Sequence, residues 1–256
     1  MANKPLILVT NDDSVNAPGI QHLIHWMKDL GEVIVVAPDS PQSGKGHAIT
    51  IDNAIFVHKI KRDDGVECYS CSGTPVDCVK LASRQILDRK PDLCVSGINH
   101  GSNSSINVIY SGTMSASVEA GIEGIPSIGF SLCDYSWDAD FSHLETYVKK
   151  IASEVLKKTP PKGTVLNVNF PKKSENAIQG IKVCRQAKAN WEEKFDQRKT
   201  PSGKDYYWLT GEFVLHDLGE DTDEWALRNN FISIVPTQFD LTAYHAIPEI
   251  NSWNFN

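Results

Sequence analysis

The sequence predicts an α/β fold, a largely parallel sheet with helices on both faces, followed by an appended β-rich region. Apolar runs typical of buried strands alternate with segments whose apolar residues recur at helical spacing. The first such unit lies within residues 5–37, where strand, helix and strand predict a parallel pair with a right-handed crossover. After about residue 175, hairpin-like and aromatic-rich segments replace this alternation.

The first elements have clear signals. The run "PLILVT" (5–10) predicts a buried strand, and the helix that follows closes at Gly31. The apolar positions of this helix are Ile20, Leu23, Ile24, Met27 and Leu30. The run "EVIVVA" (32–37) predicts a second buried strand. The next three segments predict a meander of short added strands: "HAITI" (47–51), "AIFVHKI" (54–60) and "VECYSC" (66–71).

Helices and strands keep alternating up to about residue 175. Thr74 is a suitable N-cap, with Pro75 at the first helical position, for a helix that reaches about Asp88. The remaining segments predict strands at 92–97, 125–131 and 164–170, and helices at 113–124 and near 141–158. We therefore expect the α/β core to occupy about residues 1–175.

The segment of about residues 176–256 is predicted to be a smaller, β-rich oligomerisation region. Its hairpin-like runs are "ANWEEKF" (189–195), "DYYWLTG" (205–211) and "FISIVP" (231–236). The stretch from Trp191 to Trp208 and the tail around Trp253 carry more large apolar groups than a lone surface hairpin should expose. These groups either contact another subunit or pack within the chain. The acidic stretch "GEDTDEW" (219–225) is predicted to be a solvated loop.

Composition excludes several function classes. The formal charge of -7 argues against a protein that binds a nucleic-acid duplex through its phosphates. No apolar run approaches the roughly 18 residues of a membrane span, and the apolar stretch in residues 1–9 is too short for a signal peptide. Six cysteines include one CxxC, Cys68 and Cys71, without a second pair. Reduced thiols and a cytoplasmic location are therefore expected.

Polar residues gather after three predicted strands. The connections are "TNDDS", "PDSPQSGKGH" and "GINHGSN", which follow the strands ending near residues 10, 37 and 97. Ligands of open parallel sheets bind beyond the carboxyl ends of the strands, so these three connections predict one shared site.

Asp12 and Asp13 are the candidate centre of this site. Side chains alternate along a strand, so adjacent carboxylates converge only where the chain bends. Together with oxygens from Ser43 and Asn99 they would form an oxygen-only site suited to Mg²⁺ or Mn²⁺. Taken singly, the stretch with Asp12 and Asp13 is more typical of a turn or helix cap, Ser43 of an ordinary loop residue and Asn99 of a turn residue.

Ser111, Gly112 and Thr113 begin a predicted helix rich in small residues. Free backbone N–H groups and hydroxyls at such a helix end can bind a phosphate, although a simple N-cap explains them as well. The stretch "SGKGH" lacks the spacing of a P-loop. Its Lys45 is either an exposed loop residue or a phosphate contact, and His47 lies near the site or opens the next strand.

At these residues the sequence resembles the SurE family of metal-dependent nucleotidases, also called survival protein E. The matching stretches occur in the family's order along nearly the whole chain. They are "ILVTNDD", "VVAPDSPQSGKGHAIT", "SGTPVDCV", "SGINHGSN", "VIYSGTMSASVEA", "LNVNFP" and "VPTQFDLTAY".

The resemblance implies a specific site and activity. It implies that Asp12, Asp13, Ser43 and Asn99 hold one divalent metal cation per subunit, and that the phosphate of the substrate contacts Asn103, Ser111, Gly112 and Thr113. The implied reaction is hydrolysis of nucleoside 5'- and 3'-monophosphates, and in some members of polyphosphate, with Asp12 and Asp13 as catalytic residues. The implied fold is a Rossmann-like, three-layer domain whose carboxyl-terminal part exchanges elements between subunits, giving a homodimer or homotetramer.

The chain departs from the usual family pattern at three positions. Ser102 replaces a common proline, Ser105 stands where the family tends to have glycine, and acidic residues are usual near Asn107. These departures bear on the shape of the loop and on base or sugar preference.

Two alternatives to metal-assisted hydrolysis remain open, one a different catalytic mechanism and the other a protein without catalytic activity. Haloacid dehalogenase phosphatases form an aspartyl-phosphate, but their two aspartates are separated by one residue, whereas Asp12 and Asp13 are adjacent. A nucleotide- or phosphate-binding sensor without turnover is the alternative from a different class.

Overall fold

A computed structural model describes residues 4–255 and contains two sheets. Eleven strands form them: β1 Leu6–Thr10, β2 Glu32–Pro38, β3 Val57–Ile60, β4 Glu67–Cys71, β5 Leu93–His100, β6 Ser127–Leu132, β7 Thr164–Phe170, β8 Ile181–Val183, β9 Ala189–Lys199, β10 Asp205–Leu215 and β11 Ile232–Gln238. The main sheet has nine strands in the order β3-β4-β2-β1-β5-β6-β7-β11-β8. Strands β9 and β10 form a separate two-stranded sheet.

Helices cover both faces of the main sheet. Six α-helices are present among residues 4–255: α1 Pro18–Met27, α2 Pro75–Leu81, α3 Gly112–Ile122, α4 Glu145–Lys158, α5 Asp223–Arg228 and α6 Ile247–Asn251. Helices α1 and α4 pack on one face, and α2 and α3 pack on the other. Across the described residues, no helix combines the length and the apolar character that a membrane crossing requires.

The predicted fold class is confirmed. Strands β4, β2, β1, β5, β6 and β7 run parallel, and each pairs with its neighbour in this order. At the edges, β3 is antiparallel to β4, and β11 is antiparallel to β7. The result is a three-layer α/β core with β1 and β5 near its centre.

The predicted meander after β2 is wrong in two respects. Residues 47–51 form no strand. The backbone of these residues instead forms hydrogen bonds with the start of α2. The Thr74 hydroxyl donates to the Ala48 carbonyl at 2.7 Å, and the Thr50 amide donates to the Asp77 carboxylate at 3.2 Å. In addition, β4 is parallel to β2 and belongs to the main sheet, so only β3 is an antiparallel addition.

Two helix boundaries differ from prediction. Helix α1 ends at Met27, where the amides of Leu30 and Gly31 both donate to the Met27 carbonyl and form a turn. Helix α2 continues into a π-helical segment at Ala82–Ile86 rather than as regular helix to residue 88. The N-cap predicted at Thr74 is present and forms a capping box, since the side chains of Thr74 and Asp77 each accept a hydrogen bond from the other's backbone amide.

The carboxyl-terminal segment divides its strands between the two sheets. Strands β8 and β11 complete the main sheet, whereas β9 and β10 form a long antiparallel hairpin. Large apolar side chains on the hairpin and tail are exposed, including Phe195, Trp208, Leu241 and Trp253. The role of this segment in oligomerisation stays a prediction.

Candidate active site

The chain bends directly after β1, as convergence of two adjacent carboxylates requires. The Asn11 side-chain amide donates to the Ser14 carbonyl at 2.8 Å, and Ser14 has a φ of 95°, in the left-handed region. The bend leaves Asp12 and Asp13 only 4% and 6% exposed. Both carboxylates therefore lie buried at the carboxyl edge of the central strands.

Asp12 contacts the start of α3. The Thr113 hydroxyl donates a hydrogen bond to Asp12 Oδ1. Gly112 permits this approach, because a Cβ at that position would lie 2.7 Å from the Asp12 Cβ. Burial raises the pKa of Asp12 to about 6 and the charge of Asp13 adds to the rise, while the hydrogen bonds from Thr113 oppose it.

Asp13 contacts the end of β5. The backbone amide of His100 donates to Asp13 Oδ2 at 3.2 Å. Burial raises the pKa of Asp13 above its ordinary value, and this hydrogen bond opposes the rise. The neighbouring Asn99 is half-buried, and its Nδ2 donates to the Gly101 carbonyl at 2.8 Å. The side-chain oxygen of Asn99 is therefore the group available to a cation.

Ser43 lies on a loop held against Asp12. The backbone amide of Gln42 donates to the Asp12 carbonyl at 2.7 Å, and the amide of Gly46 donates to the Tyr110 carbonyl at 3.3 Å. These two bonds fix the loop between the end of β1 and the segment that leads into α3. The Ser43 side chain itself is exposed.

The donor set fits a hard divalent cation. In the part of the chain that the structure describes, neither Asp12 nor Asp13 forms an ion pair with a basic side chain. Two buried carboxylates that form no ion pair repel each other, so a cation between them would offset this cost. Over residues 4–255, no group of three or more His, Cys, Asp or Glu could hold a metal ion. A cation held there would need neutral oxygens, such as those of Ser43 and Asn99, to complete its coordination.

The amino end of α3 offers an anion-binding position. Ser111 caps the helix, and its hydroxyl accepts a hydrogen bond from the Met114 amide at 3.0 Å. The helix has 11 residues, so its dipole favours negative charge at this end. The Asp12 carboxylate lies at this end of the helix, where it accepts a hydrogen bond from the Thr113 hydroxyl.

Asn103 is fixed by a buried network. Its backbone amide donates to Asn169 Oδ1 at 2.8 Å, and its carbonyl accepts from Asn167 Nδ2 at 2.9 Å. Its own Nδ2 donates to Ser131 Oγ at 2.8 Å. One amide hydrogen of Asn103 is thus committed to β6, and the side chain is only 5% exposed.

The predicted solvated loop at 219–225 is wrong for its carboxyl-terminal half. Thr222 and Asp223 are fully buried at the start of α5. Burial raises the pKa of Asp223, while hydrogen bonds from the backbone amides of Ser105 and Ala187 oppose the rise. The sequence signalled the start of the helix, because Thr-Asp-Glu before an apolar residue is typical of one, but it did not signal the burial of Asp223.

His47 and Lys45 have different surroundings. His47 opens no strand, and its Nε2 lies 2.9 Å from Oε2 of the buried Glu119 on α3. Lys80 lies 2.5 Å from the other oxygen of Glu119. Lys45 is an exposed loop residue.

Comparison with known proteins gives matches over nearly the full chain. The sequence profile of the family described as "Survival protein SurE" matches residues 7–193. A 5'-nucleotidase SurE of Flavobacterium psychrophilum is 69% identical over 255 residues, covering 99% of each chain. One of Bacteroides fragilis is 51% identical over 255 residues, again covering 99% of each. The crystal structure of the SurE protein from Aquifex aeolicus has a TM-score of 0.83 and 40% identity, covering 96% of this chain and 98% of that one.

Proposed function

The chain belongs to the survival protein SurE family, and on this premise we propose that it is a metal-dependent phosphatase of nucleoside monophosphates. One observation carries the proposal. Two buried carboxylates that form no ion pair within residues 4–255, Asp12 and Asp13, lie at the carboxyl edge of the sheet, and Asp12 contacts the amino end of α3. A cation between the carboxylates and a phosphate at the helix end complement each other in charge.

Asp12, Asp13, Ser43 and Asn99 are proposed to hold one Mg²⁺ or Mn²⁺. The oxygen-only donor set supports a hard cation. When bound there, such a cation supplies positive charge that draws the phosphate and a water molecule to the same corner. The side chains of Asp12 and Asp13 would hold the cation in place, and one of the two accepts the proton of the attacking water.

Asn103, Ser111, Gly112 and Thr113 are proposed to contact the phosphoryl oxygens. The hydroxyl of Ser111 and the backbone amides at the start of α3 can donate to an anion. Asn103 can donate through its second amide hydrogen while the first remains bonded to Ser131. We extend the substrate range to nucleoside 5'- and 3'-monophosphates and to polyphosphate.

Phosphate release from AMP with Mn²⁺ tests the proposal. Replacing Asp13 by Ala removes a proposed metal ligand. Loss of a residue that only hydrogen-bonds a metal ligand typically lowers activity about 10- to 100-fold, so turnover of Asp13→Ala should fall further than that. The exposed Asp52→Ala variant serves as the control and should keep wild-type turnover. Near-native turnover by Asp13→Ala would contradict the ligand assignment.

The same assay separates the competing mechanisms. Saturable AMP binding without phosphate release under any metal or nucleotide would indicate a sensor. Trapping of a phosphorylated Asp12 would indicate an aspartyl-phosphate route. A panel of 5'- and 3'-nucleotides, together with polyphosphate, then defines the substrate range.

We also propose a homodimer or homotetramer located in the cytoplasm. The exposed Phe195, Trp208 and Trp253 support contacts between subunits. The free thiols of the six cysteines support a reducing compartment. A strict monomer in light scattering would contradict the oligomeric part of the proposal.

A further inference from the structure

The loop between β5 and α3 contains Asn103 and leads to Ser111. A five-residue 3₁₀ helix, Ser105–Ile109, is the regular structure between these two positions. Such a short helix does not fix its own orientation, so contacts from elsewhere must hold it. Those contacts come from the carboxyl-terminal segment, more than 80 residues away in the chain.

Asp223 makes the central contact. Its Oδ2 accepts the backbone amide of Ser105 at 2.8 Å, and its Oδ1 accepts the backbone amide of Ala187 at 2.9 Å. Each carboxylate oxygen thus faces a different segment of the chain. Asp223 is fully buried, and among residues 4–255 it forms no ion pair. Backbone amides therefore hold this charge in place, which makes its position sensitive to theirs.

Ser105 has a conformation that depends on these contacts. Its φ is 53°, in the left-handed region, which costs a residue other than glycine of order 1 kcal/mol or more. Its hydroxyl donates to the Ala187 carbonyl at 2.9 Å while its amide donates to Asp223. The hydroxyl bond joins the loop to the segment before β9, and the amide bond joins it to the start of α5; together they offset the backbone strain.

Two further contacts flank Ser105. The Ser104 hydroxyl donates to Glu224, and Trp191 Nε1 donates to Asn107 Oδ1 at 2.8 Å. The loop is therefore held on both sides of Ser105, and the contact at Ser104 adjoins Asn103.

We propose that Asp223 is a positioning residue for phosphate binding, acting through the amide of Ser105 on the loop that carries Asn103 and leads to Ser111. This inference rests on the proposed function, since it assigns the phosphate to that loop. Asp223 does not touch the phosphate. Its contribution is to hold the phosphate-binding residues at a fixed distance from Asp12 and Asp13.

The Asp223→Asn variant tests this in the full-length enzyme with Mn²⁺. An amide offers one acceptor oxygen, so at least one of the three backbone N–H groups that face the carboxylate, those of Ser105, Ala187 and Glu224, loses its acceptor. We expect the KM for AMP and the inhibition constant of inorganic phosphate to rise about five- to tenfold, as for the loss of one typical hydrogen bond. The kcat and the Mn²⁺ concentration for half-maximal activity should change less than about twofold.

Asp221→Asn is the matched control. Asp221 lies on the same connection but is exposed and bonds Arg185 at 2.7 Å. It should keep wild-type KM and phosphate inhibition. A purely structural role for Asp223 would instead lower the melting temperature and the folded fraction, with KM and phosphate inhibition unchanged. That outcome, or equal effects of both variants, would overturn the proposal.

A second pair of variants tests the proposal if Asp223→Asn does not fold. Ser105→Ala keeps the strained backbone without the supporting hydroxyl, so the KM for AMP should rise a few-fold. Ser105→Gly adopts the left-handed region without strain and should restore most of the wild-type KM. A wild-type KM in Ser105→Ala would overturn the proposal. If the wild-type protein releases no phosphate, the proposed function fails, and calorimetric titration with inorganic phosphate still tests the positioning role in both pairs.

Discussion

Replacement of Asp12 by Asn is expected to stabilise the metal-free protein while abolishing its response to metal. Asp12 is 4% exposed, and burial together with Asp13 raises its pKa from 3.8 to about 6. Above that pH the ionised carboxylate is more favourable in the unfolded chain than in the folded one. Asn removes the charge and retains an oxygen that can accept the Thr113 hydroxyl.

The magnitude follows from the pKa difference. A rise from 3.8 to about 6 is about 2 units, and at about 1.36 kcal/mol per unit it amounts to about 3 kcal/mol. Because the folded state binds this proton more tightly, the penalty is absent below about pH 4 and is complete above about pH 6. Asp12→Asn should therefore be more stable than wild type by up to about 3 kcal/mol near pH 8, and equal to it near pH 4.

Urea unfolding followed by tryptophan fluorescence measures this difference across pH in the presence of a chelator. Added Mn²⁺ should then stabilise the wild-type protein and leave Asp12→Asn nearly unchanged, because ligand binding stabilises only the state that binds it. The exposed Asp52→Asn variant should follow the wild type in both conditions. A variant less stable than wild type near pH 8, or a difference that does not depend on pH, would refute the reasoning.

Two glycine substitutions give further predictions. In Gly112→Ala the new Cβ would lie 2.7 Å from the Asp12 Cβ, so the carboxylate must shift, and Mn²⁺-dependent phosphate release should fall about a hundredfold. Turnover within about threefold of wild type would contradict this. In Gly97→Ala a φ of 124° and a Cβ 2.3 Å from the Phe130 carbonyl oxygen should destabilise folding by more than about 3 kcal/mol. If urea unfolding shows that Gly97→Ala lowers the free energy of unfolding by less than about 1 kcal/mol, the strain inferred at Gly97 is contradicted.

Local sequence signals predicted the elements that are buried on both faces. Strands β1 and β2 are nearly continuous apolar runs, and such runs are typical of strands buried on both faces of a sheet. The meeting of Asp12, Asp13 and Asn99 was also predictable, since parallel strands end at one edge. The metal and phosphate roles of these residues stay predictions.

Contacts between distant segments were not predictable from local patterns. Residues 47–51 alternate like a strand, yet their hydrogen bonds go to the start of α2. The burial of Asp223 depends on Ser105 and Ala187, which nothing in "GEDTDEW" specifies. Acidic stretches are usually solvated, and this one is an exception because three backbone amides face a single carboxylate.

Because α5 and β11 lie near the carboxyl end of the chain, the order of synthesis determines which contacts of the site can form first. The ribosome releases Asp12, Asp13, Asn99 and Thr113 well before Asp223. Among residues 4–255, β8 pairs with β11 alone, so this strand too must wait for the carboxyl-terminal segment. A nascent chain can thus assemble both carboxylates and the helix end while the amide of Ser105 still lacks its acceptor. The amide of Ser105 gains its acceptor only once the chain has been made as far as α5, which lies within the last sixth of the sequence.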